Sequence, residues 1–175
     1  MQPVVHLVVG YICYAAYARW RLDGPPADAP ALAAIGGAAL PDLIDQSLAA
    51  AGITGVTRTI GHSLLFVVPL VAVVWLYTRA RDRELLGVAF AIGILSHIAT
   101  DMPWHVLAGD YDELGFLLWP ITPMPEYSGV KELGTVAGVE ITTLWLEAVI
   151  FVAGIALWWQ DGRPGLEAVW QFVRG

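Results

Sequence analysis

GILSHIATDMPWH, residues 93–105, sets imidazole and carboxylate groups into a run otherwise built for burial. Read as a helix, it puts His97 and Asp101 four residues apart on one face, separated by roughly 6 Å of axial rise. Two ligands of a metal site have that spacing. Upstream, Leu85 to Asp101 carries no charge before the final aspartate, so it reads as a membrane span ending in these polar residues.

The rest of the chain has the same character. Hydrophobic residues make up 57% of the 175 and charged ones only 14%, which predicts an all-α integral membrane helical bundle, one embedded domain over residues 1–175. A net charge of −7 with nine Lys and Arg in total argues against a nucleic-acid partner, because phosphate binding needs clustered cations. The bilayer is the expected partner, and the oligomeric state is not legible. Cys13, the single cysteine, lies in an apolar run and reads as a packing residue. The N-terminus lacks the basic segment of a signal peptide, and Arg19 and Arg21 follow its apolar stretch; a retained span is predicted.

Five spans follow: Val4 to Trp20, Ala31 to Ala51, His62 to Thr78, Leu85 to Asp101 and Ile141 to Trp159. Asp23 to Pro30 reads as a proline-rich turn. The second span is interrupted by Pro41-Asp42-Leu43-Ile44-Asp45, which predicts a kink, and its Gly36-Gly37 pair allows close helix approach. Residues 102–140 are broken by Pro and Gly and are expected to form an extramembrane cap, and Gly165 to Val173 a short amphipathic surface helix.

With the N-terminus outside, five crossings put Arg19, Arg21, Arg79, Arg81, Arg83, Arg163 and Arg174 on the cytoplasmic side and leave Arg58 and Lys131 on the other, as the positive-inside rule expects. The same topology brings His6, Asp42, Asp45, His62, His97, Asp101 and His105 toward the non-cytoplasmic face. Four crossings with residues 31–51 re-entrant would strand His6 on the opposite side, so five are preferred.

An ionisable residue in a span costs about 2.5–3.5 kcal/mol for the charged types and should be buried against partners. Taken singly, His97 and Asp101 could pack two helices, His62 could start a helix, His6 could sit exposed near a terminus, and Asp42 or Asp45 could be an N-cap. Taken together, His6, Asp42, Asp45, His62, His97 and Asp101 form a candidate ligand set for a divalent metal, with Asp101 and His97 the candidate catalytic pair. Zinc suits such ligands at about 2.0–2.2 Å, Mn or Fe remain open, and one or two ions fit. Which of Asp42 and Asp45 is the main ligand is not separable. His105 beside Trp104 reads as an interfacial pair, Glu147 as a structural hydrogen-bonding residue, and Ser63 and Ser96 as hydrogen-bonding neighbours of the histidines.

His6, Ala39-Leu40-Pro41-Asp42 with Asp45, Gly61-His62-Ser63, Leu95-Ser96-His97 with Asp101, and Leu118-Trp119-Pro120-Ile121 together resemble the YdjM-type, LexA-regulated, membrane-bound metal-dependent hydrolases. That family is in turn similar to the zinc-dependent phospholipase C and S1/P1 nuclease group. The resemblance implies that His6, Asp45, His62, His97 and Asp101 hold metal, with Asp101 a bridge, and that metal-activated water attacks a phosphoester, either a small molecule or a lipid. The competing expectation is a non-catalytic membrane protein with a structural metal or a proton- or ion-relay site.

Overall fold

The structure is a computed structural model that describes residues 2–102, 111–123 and 139–174. Six α-helices carry these residues: α1 Pro3–Arg21, α2 Asp28–Ala50, α3 Leu64–Arg79, α4 Glu84–Asp101, α5 Val139–Gln160 and α6 Leu166–Arg174. Two 3₁₀ turns, Ile60–His62 and Tyr111–Leu118, stand before α3 and after α4. No strand occurs among the described residues.

Each helix begins and ends where local chemistry directs. Pro3 opens α1 at a position whose N–H would have no helical partner, and Arg19 and Arg21 face the negative end of its dipole. Ser63 caps α3, its hydroxyl accepting from the Leu65 N–H at 3.3 Å. The sequence predicts a turn through Pro30, yet α2 already starts at Asp28. Pro30 falls in the first turn, where the missing N–H costs nothing. Pro41 likewise lies inside a continuous α2.

Small residues let the central helices meet backbone to backbone. Gly37 on α2 is buried against the Phe90 carbonyl of α4, and Gly93 on α4 against the Ala34 carbonyl of α2. Gly10 on α1 abuts the Ala38 side chain. The expected close approach at Gly36-Gly37 therefore belongs to Gly37 alone; Gly36 is exposed, with open space around its Cα. Apolar clusters flank this contact, one around Val67, Ile94, Ile98 and Phe116 and another around Tyr11, Ala15 and Ala31.

α5 lies parallel to α1. The Gln2 N–H, just before α1, donates to Glu147 Oε2 in the first half of α5 at 3.1 Å, and Asp161, just after α5, accepts from Tyr11 Oη at 2.6 Å and pairs with Arg19 in the last turn of α1. Glu147 thus has the structural hydrogen bond expected of it. The tail helix α6 exposes Leu166, Val169 and Trp170. It is tethered where the Gly165 N–H donates to Asp28 Oδ1 at 2.7 Å.

Among the described residues, only α4 is both long and apolar enough to cross a membrane, with mean hydropathy 1.4. The apolar helix Leu64–Arg79 is shorter, as is the apolar stretch Leu144–Gln160 within α5, and α2 dilutes its apolar content with Gly and the Asp42 and Asp45 carboxylates. Length and composition thus mark one of the five expected spans, α4, as a candidate crossing among the described residues. The exterior of α3 and α5 is nonetheless apolar, with Val73, Leu76, Trp145 and Val152 each more than half exposed.

Candidate metal centre

The starts of α1 and α3 and the ends of α2 and α4 bring five polar side chains to one place. His6 comes from α1, Asp42 from α2, His62 from the turn before α3, and His97 and Asp101 from α4. His6, His62, His97 and Asp101 are at most 3% exposed, whereas Asp42 remains 20% exposed. Two overlapping groups, His6-Asp42-His97 and His62-His97-Asp101, each place one ligand atom per residue within 4.8 Å of the others.

What faces the centre follows from what the far side of each imidazole does. His97 Nδ1 lies 2.7 Å from the Ala38 carbonyl, which can only accept, so Nδ1 carries the proton. His62 Nδ1 donates in the same way to Asp45 Oδ2 at 2.8 Å. The Thr100 hydroxyl sends its hydrogen to the Ser96 or His97 carbonyl, at 3.0 and 2.9 Å, and so accepts from His6 Nδ1 at 3.1 Å. All three rings therefore turn Nε2 inward.

Those nitrogens face one another and two carboxylates. His62 Nε2 and His97 Nε2 stand 3.0 Å apart. Asp101 Oδ1 lies 3.3 Å from His6 Nε2, and its Oδ2 lies 3.4 and 3.8 Å from His62 and His97 Nε2. Asp42 Oδ1 is 3.8 Å from His62 Nε2 and 3.9 Å from His97 Nε2. Unprotonated imidazole nitrogens and carboxylate oxygens at this range repel unless a proton or a metal cation lies among them. Ligands bound at about 2.1 Å in a tetrahedron are about 3.4 Å apart, so the spacing and donor chemistry fit a divalent metal.

Asp42 and Asp45, indistinguishable in sequence, occupy different places. Asp45 is fully buried and accepts four hydrogen bonds, from the Thr59 N–H at 2.6 Å, Thr59 Oγ1 at 2.8 Å, the Gly61 N–H at 2.9 Å and His62 Nδ1. Its oxygens are thus occupied behind His62, while Asp42 faces the imidazole nitrogens. Gly61 is required here, because a Cβ would run into the Pro41 backbone.

Ser63 Oγ donates to the Trp119 carbonyl at 2.6 Å and Ser96 Oγ to the Gly93 carbonyl at 2.8 Å, so both hydroxyls act as structural hydrogen-bonding groups. Through Trp119 and the buried Phe116, which meets the His62 ring edge-on at 6.0 Å, residues 111–123 lie over the cluster. His105 and most of 102–140 fall outside the described residues. One participant escaped the sequence reading: Arg58, which enters there only as a cation on the non-cytoplasmic side, places Nη2 3.5 Å from Asp101 Oδ1.

The fold and this cluster define an all-helical protein with an apolar exterior and a buried His/Asp group suited to a metal ion. The chain belongs to the YdjM inner membrane protein family, whose profile matches residues 1–173. No curated protein and no solved structure matches it, so the similarity to phospholipase C and S1/P1 nucleases finds no support there.

Proposed function

We propose that the protein is a membrane-embedded, metal-dependent hydrolase that cleaves a phosphoester at the His6/His62/His97/Asp101 cluster. The observation that carries this reading is the convergence of three Nε2 atoms on one carboxylate, each ring fixed by its own Nδ1 partner. A bound divalent cation, zinc by ligand type, would acidify a water and withdraw charge from a phosphoryl oxygen. His6, His62, His97, Asp101 and Asp42 are the residues that would hold one or two ions. Asp45 orients His62, in the manner of carboxylates that set the tautomer of metal-binding imidazoles.

In the membrane we favour five crossings with the cluster on the non-cytoplasmic side. The parallel α1 and α5 support an odd number of alternating passes from α1 through α5, and the apolar outer faces of α3 and α5 suit contact with lipid. Location at one end of the bundle favours a site worked from the membrane surface over a relay through its depth.

Elemental analysis of detergent-purified protein, with assays on phosphomonoesters and phosphodiesters, tests the reading. Stoichiometric metal is expected in wild type and its loss in His62→Ala and Asp101→Ala. A wild-type protein that takes up no Zn, Mn or Fe and hydrolyses nothing when these are supplied would sink it.

The two aspartates should separate cleanly. Asp45→Asn confronts the Thr59 and Gly61 N–H donors with an amide in place of a full acceptor, so metal affinity should fall about ten- to hundredfold and the melting temperature should drop. Asp42→Asn should weaken metal binding while leaving the melting temperature of the metal-free protein unchanged. Chelator-competition titrations and thermal melts of the two variants decide this; equal melting temperatures would remove Asp45 from its orienting role.

A further inference from the structure

Arg58 has no task in a site made only of metal ligands, yet its position is closely specified. Asp45 grips the next residue twice, at the Thr59 N–H and Oγ1, so the carboxylate that orients His62 also fixes the backbone bearing Arg58. The guanidinium lies 3.5 Å from Asp101 Oδ1 on one side and stacks on Phe116, its Cζ 5.5 Å from the ring centroid. Phe116 is fully buried and packs against His62 as well. Arg58 is 17% exposed and Asp42 20%, against 3% or less for the three imidazoles and Asp101. Among these groups, Arg58 and Asp42 are therefore the ones that solvent reaches most.

A guanidinium keeps its charge at any working pH and offers five N–H donors in a planar fork matched to carboxylate and phosphoryl oxygens. Holding Asp101 and engaging a ligand anion are therefore compatible. We propose that Arg58 binds a non-bridging oxygen of an anionic phosphoryl group at the metal cluster, which makes the substrate a phosphate ester or anhydride and not a neutral carboxylic ester or amide. The inference rests on the hydrolase reading above for what happens next, but not for the binding itself.

The test is a calorimetric titration of zinc-loaded, detergent-purified protein with inorganic phosphate, alongside its metal content. A second arm uses phosphatidate in detergent micelles to distinguish a lipid headgroup from a free phosphate. Arg58→Ala should keep wild-type metal stoichiometry and bind phosphate about tenfold to a hundredfold more weakly, with Arg58→Lys recovering part of the loss. Arg58-dependent binding in either arm supports the assignment, and the arm with the larger Arg58 effect identifies the source. Unchanged phosphate and phosphatidate affinity in a metal-replete Arg58→Ala overturns it and leaves the hydrolase reading standing. Loss of metal in both Arg58 variants also overturns it, making Arg58 a support for Asp101. If the wild type holds no metal, the hydrolase reading falls; phosphate binding that Arg58→Ala abolishes would still uphold anion recognition, and its absence would remove both.

Discussion

Replacing His97 with alanine is expected to strip the protein of metal and reduce phosphoester hydrolysis to background. His97 is the residue shared by the two groups able to hold an ion, His6-Asp42-His97 and His62-His97-Asp101. Its Nε2 stands 3.0 Å from His62 Nε2, 3.8 Å from Asp101 and 3.9 Å from Asp42, so its removal opens every arrangement of ligands that the cluster offers. Loss of an outer partner of a metal ligand costs about ten- to hundredfold in affinity; loss of this ring should exceed that. Alanine also leaves a void where the imidazole stacks on His6, ring centroids 3.8 Å apart, and part of the effect would come from a loosened core. His97→Asn separates the two causes. Its side-chain amide can still donate to the Ala38 carbonyl, keeping α4 joined to α2, but does not extend to the position of Nε2. It should melt closer to wild type than alanine does and still bind no metal in chelator-competition titrations. A metal-replete His97→Asn protein would place the ion elsewhere.

The helices were legible because each apolar run is bounded by charge, proline or glycine, and the cluster because imidazole and carboxylate groups stand out in such runs. The count of spans was less legible. The sequence predicts crossings from uncharged length, while α3 is a 16-residue helix and α2 gains its length from Ala and Gly more than from strongly apolar residues. The distinction between Asp42 and Asp45 could not be read, because both lie on one short arc of α2 and their difference is made by another segment. The loop through Thr59 and Gly61 folds back onto Asp45 and leaves Asp42 facing the histidines. Arg58 was missed for the same reason. Its approach to Asp101 depends on how that loop is held, and nothing in the spacing of residues 58 and 101 announces it. The signal that was available is compositional: Arg58 is one of two basic residues assigned to the face that collects the histidines.

The second large effect is structural and lies one helical turn from the site. A side chain at Gly93 would meet the Ala34 carbonyl and the Ala38 backbone nitrogen, both parts of a helix backbone that cannot turn aside like a flexible side chain. Even Gly93→Ala must therefore push α4 away from α2. Overpacking a close contact typically costs about 1–3 kcal/mol and occasionally more, and this contact belongs to the most extensive helix interface in the fold. The displacement would also act on chemistry. His97 lies four residues along α4 and takes its orientation from the Ala38 carbonyl at 2.7 Å, so separating the helices lengthens the bond that turns Nε2 inward. Gly93→Ala should lower the melting temperature and weaken metal binding together, and Gly93→Leu should fail to yield folded protein in detergent. Gly36→Ala is the matched control. It lies on the exposed face of α2 with nothing near a new Cβ, and replacing a mid-helix glycine there should stabilise by roughly 0.5–1 kcal/mol with metal affinity unchanged. If Gly93→Ala melted at or above the wild-type temperature with its metal intact, the tight α2–α4 contact would not be what holds His97 in place.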